Sequence, residues 1–302
     1  MQHPAISIEG LVKYYDGRKI LDGIDLQIPK GCIYGLLGRN GIGKTTIIRI
    51  LLGLEKPTRG KTTVLGEESM SLSAKTKSKI GYVAEGHNLI QGYSVDRLIS
   101  LYKGLSHTWD KVSFNELMNR FKLPLNRKVK ELSTGMRAQL NLILAMSISP
   151  EVLILDDPTL GLDTVVRREF LELAIELIQR DGRTILFSSH ILSDVERVAD
   201  RVGILLAGNL VVDCELEDLK KRIRKVQLIF DGDPPDDLHL TEVINQNCSG
   251  REMILTVANW SKQKRAVIEA FGPKTITEIP MSLEDLFIEC THTAKNTGGQ
   301  LC

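Results

Sequence analysis

Gly38-Arg39-Asn40-Gly41-Ile42-Gly43-Lys44-Thr45 fits the pattern G-x-x-x-x-G-K-[ST], and those residue types at that spacing suit the binding of an oligophosphate. Gly38, Gly41 and Gly43 let the backbone turn sharply enough to aim its N–H groups at an anion. Lys44 supplies a compact charge that can reach β- and γ-phosphates, and the Thr45 hydroxyl can hold Mg²⁺. With Arg39, Asn40, Ile42 and Thr46 these residues make a candidate nucleotide cradle. The apolar run Cys32–Leu37 before it reads as a buried strand. Behind it, Ile47, Ile48, Leu51 and Leu52 recur at helical spacing, and the helix N-terminus adds the positive end of its dipole. A glycine-rich turn that binds nothing needs neither Lys44-Thr45 nor this strand-turn-helix setting. The stretch predicts a nucleoside triphosphate site.

A triphosphate site needs more than a cradle, and three other strand ends carry suitable side chains. Val152–Leu155 is wholly apolar and runs straight into Asp156-Asp157-Pro158. Asp156 is placed to organise Mg²⁺, although an Asp-Asp-Pro turn can also simply end a strand. His190 closes the apolar run Thr184–Phe187 through Ser188-Ser189; it suits a γ-phosphate or a water, or else a structural role. Glu85 follows the short strand Ile80–Ala84 and can reach the metal directly or through water. Tyr14-Tyr15, shortly before the cradle, is either packing or a platform for a nucleotide base, and local sequence leaves both open.

The elements that must position these groups alternate. Ile6–Leu11 and Gly23–Ile28, with a turn signal at Asp16-Gly17, predict two antiparallel edge strands. Lys56–Gly60 reads as a turn. From Tyr93 to about Arg127 the spacing turns helical, with Thr108-Trp109-Asp110 a helix start inside it. Another helix runs from about Arg137 to Ile148, its start marked by Ser133-Thr134-Gly135. After Pro150 the α/β alternation returns: a helix from Thr164 to Arg180, a strand to Phe187, a helix from Leu192 to Ala199 and a hairpin around Ala207-Gly208-Asn209. Strands alternating with helices imply a mostly parallel sheet. The basic run Lys220–Lys225 reads as a solvated helix end joining two domains, rather than a lipid or nucleic-acid patch. Beyond it lies a small α+β unit, then a polar tail, Thr291–Cys302, expected to be disordered.

Composition narrows the classes. The 302 residues are 42% hydrophobic and 25% charged with a net charge of +1, which gives no global case for nucleic acid. Cys32, Cys214, Cys248, Cys290 and Cys302 form no C-x-x-C pair, so neither a zinc site nor a disulfide framework is indicated, and Cys32 reads as a core residue. The N-terminus lacks a signal-peptide layout, and no apolar run approaches the ~18–20 residues a bilayer requires. A cytoplasmic protein is expected, whose contact with a membrane goes through a partner.

These motifs, in this order, resemble those of the nucleotide-binding subunits of ATP-binding-cassette (ABC) transporters. Leu132-Ser133-Thr134-Gly135-Met136 resembles the LSGGQ signature, Ile154–Thr159 the Walker B segment, Leu160-Gly161-Leu162-Asp163 the D-loop and Ser189-His190 the switch histidine. The match spans about residues 5–215. The resemblance implies a P-loop NTPase (RecA-like) core with an antiparallel β edge and an inserted α-helical subdomain, followed by the C-terminal α+β extension. That is a cassette over residues 1–218 with its helical part at about 86–149, and an accessory domain over 219–290. It also implies ATP and Mg²⁺ as ligands, with Thr45, Glu85 and Asp156 on the metal side and Asp157 and His190 in catalysis. Tyr15 falls at the adenine-stacking position and Glu85 at the Q-loop glutamine. Two cassettes would pair head to tail, so that Ser133, Gly135 and Asp163 of one copy complete the site of the other. Integral membrane permease subunits would be the further partners, holding the protein peripherally on the inner face of the membrane.

The chain departs from the family pattern at three places. Asp157 stands where a glutamate normally polarises the attacking water; Glu85 replaces glutamine; and Thr134-Gly135-Met136 replaces Gly-Gly-Gln. The S-x-G-M form, with Ser282–Phe287 near the C-terminal end, resembles the ATPases of bacterial drug, antibiotic and bacteriocin-immunity exporters. The alternatives are a soluble ABC ATPase acting on ribosomes or DNA, a degenerate cassette serving as a regulatory or heterodimer half, and an importer subunit.

Overall fold

Apolar-polar alternation at the start of the chain folds into the antiparallel pair β1 (Ile6–Tyr15) and β2 (Arg18–Ile28). Ile6, Ile8, Leu11, Leu21, Ile24, Leu26 and Ile28 are all buried. Both strands outrun the apolar alternation, so Tyr14 and Tyr15 belong to β1 itself rather than to the connection. The fully buried β3 (Ile33–Leu37), which places Cys32 in the core beside it, leads into α1 (Lys44–Leu51). Next come β4 (Arg59–Val64) and β5 (Glu67–Glu68), and the first sheet has the order β2-β1-β4-β5. Here the expected turn Lys56–Gly60 is corrected, because its last two residues begin β4. Gly60 takes φ 88°, and any side chain on it would collide with the carbonyls of Glu9 and Gly10, so only glycine lets β4 lie this close to β1. The structure, a computed structural model, describes residues 3–106, 108–235, 238 and 240–289.

The chain continues through α2 (Ala74–Lys77), β6 (Ile80–Val83), α3 (Val95–Leu105), α4 (Lys111–Phe121), α5 (Thr134–Met146), β7 (Val152–Asp156), α6 (Thr164–Asp181), β8 (Thr184–Ser189), α7 (Leu192–Glu196), β9 (Arg201–Leu206) and β10 (Asn209–Glu215). Strands β9, β3, β8, β7 and β6 lie side by side in that order, and every pair among them is parallel. The C-terminal ends of β3, β6, β7 and β8 therefore open at one edge, where ligands bind in open α/β sheets. The helices between β6 and β7 start on their own caps. Ser94 caps α3, Asp110 caps α4 and Ser133 caps α5. Leu140 and Leu142–Met146 bury α5.

Two compact units divide the chain, Met1–Leu210 and Val211–Cys302. The division falls inside β10, earlier than the boundary expected at residues 218 and 219. The basic run is a helix end, as expected, but it lies within the second unit rather than between the two. It closes α8 (Leu216–Arg222) and opens β11 (Arg224–Ile229), with Leu219 and Ile223 buried and the Arg222 carbonyl accepting from Trp260 N at 2.9 Å. The second unit adds β12 (Val243–Ser249), β13 (Glu252–Val257), α9 (Lys262–Ala270) and β14 (Thr275–Ile279) in an antiparallel sheet of order β12-β13-β11-β14. Val226, Leu228, Met253, Leu255, Val257 and Ile268 form its core. The tail Thr291–Cys302 lies outside the described residues, as does Cys290. Among the described residues no helix is long and apolar enough to cross a membrane.

Candidate nucleotide site

The loop between β3 and α1 takes a conformation that its glycines alone permit. Gly41 has φ 75° and Gly43 φ 116°, a region L-residues avoid. A Cβ on Gly43 would sit 2.7 Å from Leu21 Cδ2, and one on Gly38 2.8 Å from Ile42 Cγ2 and 3.1 Å from the Leu205 carbonyl. Helix α1 starts at Gly43 without a side-chain cap, in contrast to α3, α4, α5 and α6, each capped by its own serine or aspartate. Its first N–H groups are left to other acceptors. Lys44 is buried and donates from Nζ to the Gly38 carbonyl at 2.7 Å and the Arg39 carbonyl at 3.3 Å. Burial pushes the Lys44 pKa down, against the pull of Asp157, Asp156 and Glu85. Arg39, Asn40 and Gly41 are exposed at the loop's tip, with Ile42 and Thr46 partly covered.

The parallel register of β7 and β8 pairs Asp156 with Ser188 and so joins two stretches far apart in sequence. Asp156 Oδ1 accepts from Thr45 Oγ1 at 3.1 Å and from Ser188 Oγ at 2.8 Å. Its other oxygen, Oδ2, is buried with no hydrogen-bond partner. Burial pushes the Asp156 carboxyl up; the hydroxyls of Ser188 and Thr45 oppose it and Asp157 adds to it. A buried carboxylate oxygen left unpaired is costly, and beside a threonine hydroxyl it is the donor set a hard cation takes. The residues present therefore fit Mg²⁺.

Asp157 sits one residue on, in a left-handed turn of φ 44°. Its backbone N–H is shared between the Ser188 carbonyl at 3.2 Å and Ser188 Oγ at 3.0 Å. Both its carboxylate oxygens lie 2.8 Å from His190 Nδ1. The carboxylate can only accept, so Nδ1 carries the proton and Nε2 of a neutral ring stays an acceptor. Thr159 donates to the buried Asp194 on α7 at 3.0 Å, tying the segment after Asp157 to the one after His190.

Glu85 is exposed and opens the short turn Glu85–His87 after β6. It lines a cleft of about 360 Å³ with Thr45, Tyr82 and Asp156. Tyr15 is 39% exposed, with Thr46 and Glu55 flanking its hydroxyl. Ser133, Gly135 and Asp163 do something else. Ser133 Oγ accepts from Met136 N at 3.2 Å, and Asp163 Oδ1 accepts from Val165 N and Val166 N at 3.0 Å. Gly135 backs onto Val166, where a Cβ would meet Cγ1 at 3.0 Å. Among the described residues no hydrogen bond joins these three to the cradle of their own chain.

The family model for ABC transporters matches residues 21–160. The ABC transporter ATP-binding protein YtrB of Bacillus subtilis (strain 168) is 32% identical over 283 residues, covering 94% of this chain and 97% of that protein. The chain belongs to the ABC transporter ATP-binding proteins. Two further members are similar to it. The Nod factor export ATP-binding protein I of Rhizobium johnstonii (strain DSM 114642 / LMG 32736 / 3841) is 32% identical over 303 residues, 95% of this chain and 94% of that one. The bacitracin transport ATP-binding protein BcrA of Bacillus licheniformis is 36% identical over 222 residues, 73% and 72% of the two chains. The solved structure of an ATP-binding subunit of an ABC transporter superposes with a TM-score of 0.65 at 25% identity, over 72% of this chain and 92% of that one. The protein is thus an ATP-binding subunit of an ABC transporter, of a family that binds and hydrolyses ATP, on a P-loop α/β fold.

Ser188, which contacts both aspartates, is marked in the sequence only by its place at the end of an apolar strand, and Lys13 and Glu55 beside Tyr15 carry no sequence signal.

Proposed function

We propose that this ABC ATPase drives an exporter, and that it works as a head-to-tail pair of cassettes on separate permease subunits. ATP would lie with its phosphates in the Gly38–Thr46 cradle. Mg²⁺, held by Thr45 and Asp156 with Glu85 beside them, would neutralise charge on the β- and γ-phosphates. Lys44 turns its ammonium from the loop carbonyls to the phosphates. Asp157 polarises the attacking water. The proton on His190 Nδ1 keeps that carboxylate oriented, and Nε2 is left for the γ-phosphate or a water. Water adds to the γ-phosphorus as the bond to the ADP oxygen breaks, giving ADP and phosphate.

The observation that carries this reading is one hydrogen-bonded set. It runs from Thr45 through Asp156 and Ser188 to Asp157 and His190, with Lys44 buried beside it. The head-to-tail pair is supported by Ser133 and Gly135, which sit at a helix N-terminus suited to an anion but make no hydrogen bond to their own cradle. Export is supported by the names of the Nod factor and bacitracin relatives. Aspartate at 157 is one methylene shorter than glutamate, and ~1 Å of misplacement costs on the order of 10²-fold in a positioned reaction. Slow turnover with intact binding follows. The purified chain should hydrolyse ATP in a divalent-dependent way, and Lys44→Ala should abolish it; hydrolysis that survives Lys44→Ala refutes the assignment. The chain should also co-purify with a multi-span protein from detergent-solubilised membranes.

A further inference from the structure

We propose that Lys13 and Glu55 clamp the ring of Tyr15 so that a purine base stacks on its open face, which makes both of them positioning residues for the nucleotide. The inference rests on the reading that the triphosphate occupies the Gly38–Thr46 cradle. Lys13 and Tyr15 are two apart on β1 and so share a side of the strand. The Lys13 ammonium stands 4.8 Å from the Tyr15 ring centroid, inside the ~6 Å reach of a cation–π contact. The same ammonium pairs with Glu55 Oε1 at 2.8 Å and donates to the Lys56 carbonyl at 2.8 Å. The side chains of Lys13 and Glu55 are 12% and 18% exposed, so this pair is largely out of water, unlike a mobile surface ion pair.

One face of the ring is therefore taken by a fixed charge. The hydroxyl end faces Glu55 and Thr46, and Thr46 belongs to the helix that carries Lys44 and Thr45. A tyrosine on a free strand end would lose rotamer freedom on stacking; the ammonium over one face of this ring reduces that loss. A cation under the ring also draws on its negative face, which favours an electron-rich base on the other side. The chemistry recognised is a flat, electron-rich heterocycle joined to a triphosphate.

The test compares calorimetric affinities of the full-length protein for ATP and for inorganic tripolyphosphate, which lacks the base. Lys13→Met and Glu55→Gln should each weaken ATP about three- to tenfold and leave tripolyphosphate within twofold. Tyr15→Ala should weaken ATP at least as much, and adding Lys13→Met to it should change nothing further. Unchanged or tighter ATP binding in Lys13→Met would overturn the clamp, the tighter binding meaning that the ammonium occupies the base's own face. Equal losses for ATP and tripolyphosphate would mark a merely structural role, and a full additional loss in the Tyr15→Ala background would mark action elsewhere. Should Lys13→Met not fold, Glu55→Gln carries the same comparison. If Tyr15→Ala leaves ATP affinity intact while Lys44→Ala destroys it, the clamp fails and the cradle stands; if neither matters, the cradle reading itself fails.

Discussion

The Asp157 carboxylate spends both oxygens on His190, and its backbone N–H is held by Ser188 in a left-handed turn that aspartate tolerates better than most residues. Position and orientation are thus fixed from two sides, and reach is the one quantity that a methylene changes. Asp157→Glu should raise the turnover of the purified protein by roughly tenfold or more with ATP affinity unchanged, measured as steady-state phosphate release. An equal or lower rate would mean that the site is built around aspartate. Asp157 and His190 were each legible as chemistry-bearing residues at strand ends. Their contact was not, because 33 residues separate them and the register that joins them is non-local.

At the scale of elements, helix starts explain much of the site's support and were mostly readable. Asp110 follows Thr108-Trp109 as a start signal should, and its side chain accepts from Val112 N at 2.9 Å, Ser113 N at 3.1 Å and Ser113 Oγ at 2.6 Å. Burial would push this carboxyl up, but the bonds from Ser113 and Val112 outweigh it and hold it below the usual range. A depressed carboxyl contributes stability above its unfolded value, ~3.9, and loses it as pH falls through the folded value. Asp110→Ala should therefore cost about 1 kcal/mol, read as a thermal midpoint lower by a few degrees at pH 7 and converging on wild type at low pH. A constant offset at every pH would contradict the ionised cap. Strand β4 was not readable, since Arg59-Gly60-Lys61-Thr62-Thr63-Val64 has weak apolar alternation and begins inside a turn signal. Its place is fixed by the close approach of Gly60 to β1, a tertiary fact.

For the whole molecule, the order of motifs revealed the cassette, while the division of units escaped it. Five basic residues within Lys220–Lys225 suggest a solvated helix end between two domains, and only the buried Leu219 just before them and Ile223 among them show that the helix belongs to a packed unit. The central claim is that one catalytic site needs two copies of the chain. Two inactive variants test it: Lys44→Ala, which spoils the cradle, and Ser133→Arg, which blocks the signature helix. In a head-to-tail pair of the two, both defects fall in one site and the other is assembled from intact halves. Mixing them with Mg²⁺ and ATP should restore hydrolysis that neither shows alone, to up to about a quarter of the wild-type rate if the copies pair at random and the sites act independently. No recovery from a mixture that forms mixed dimers, or full activity of Ser133→Arg by itself, would contradict the shared site.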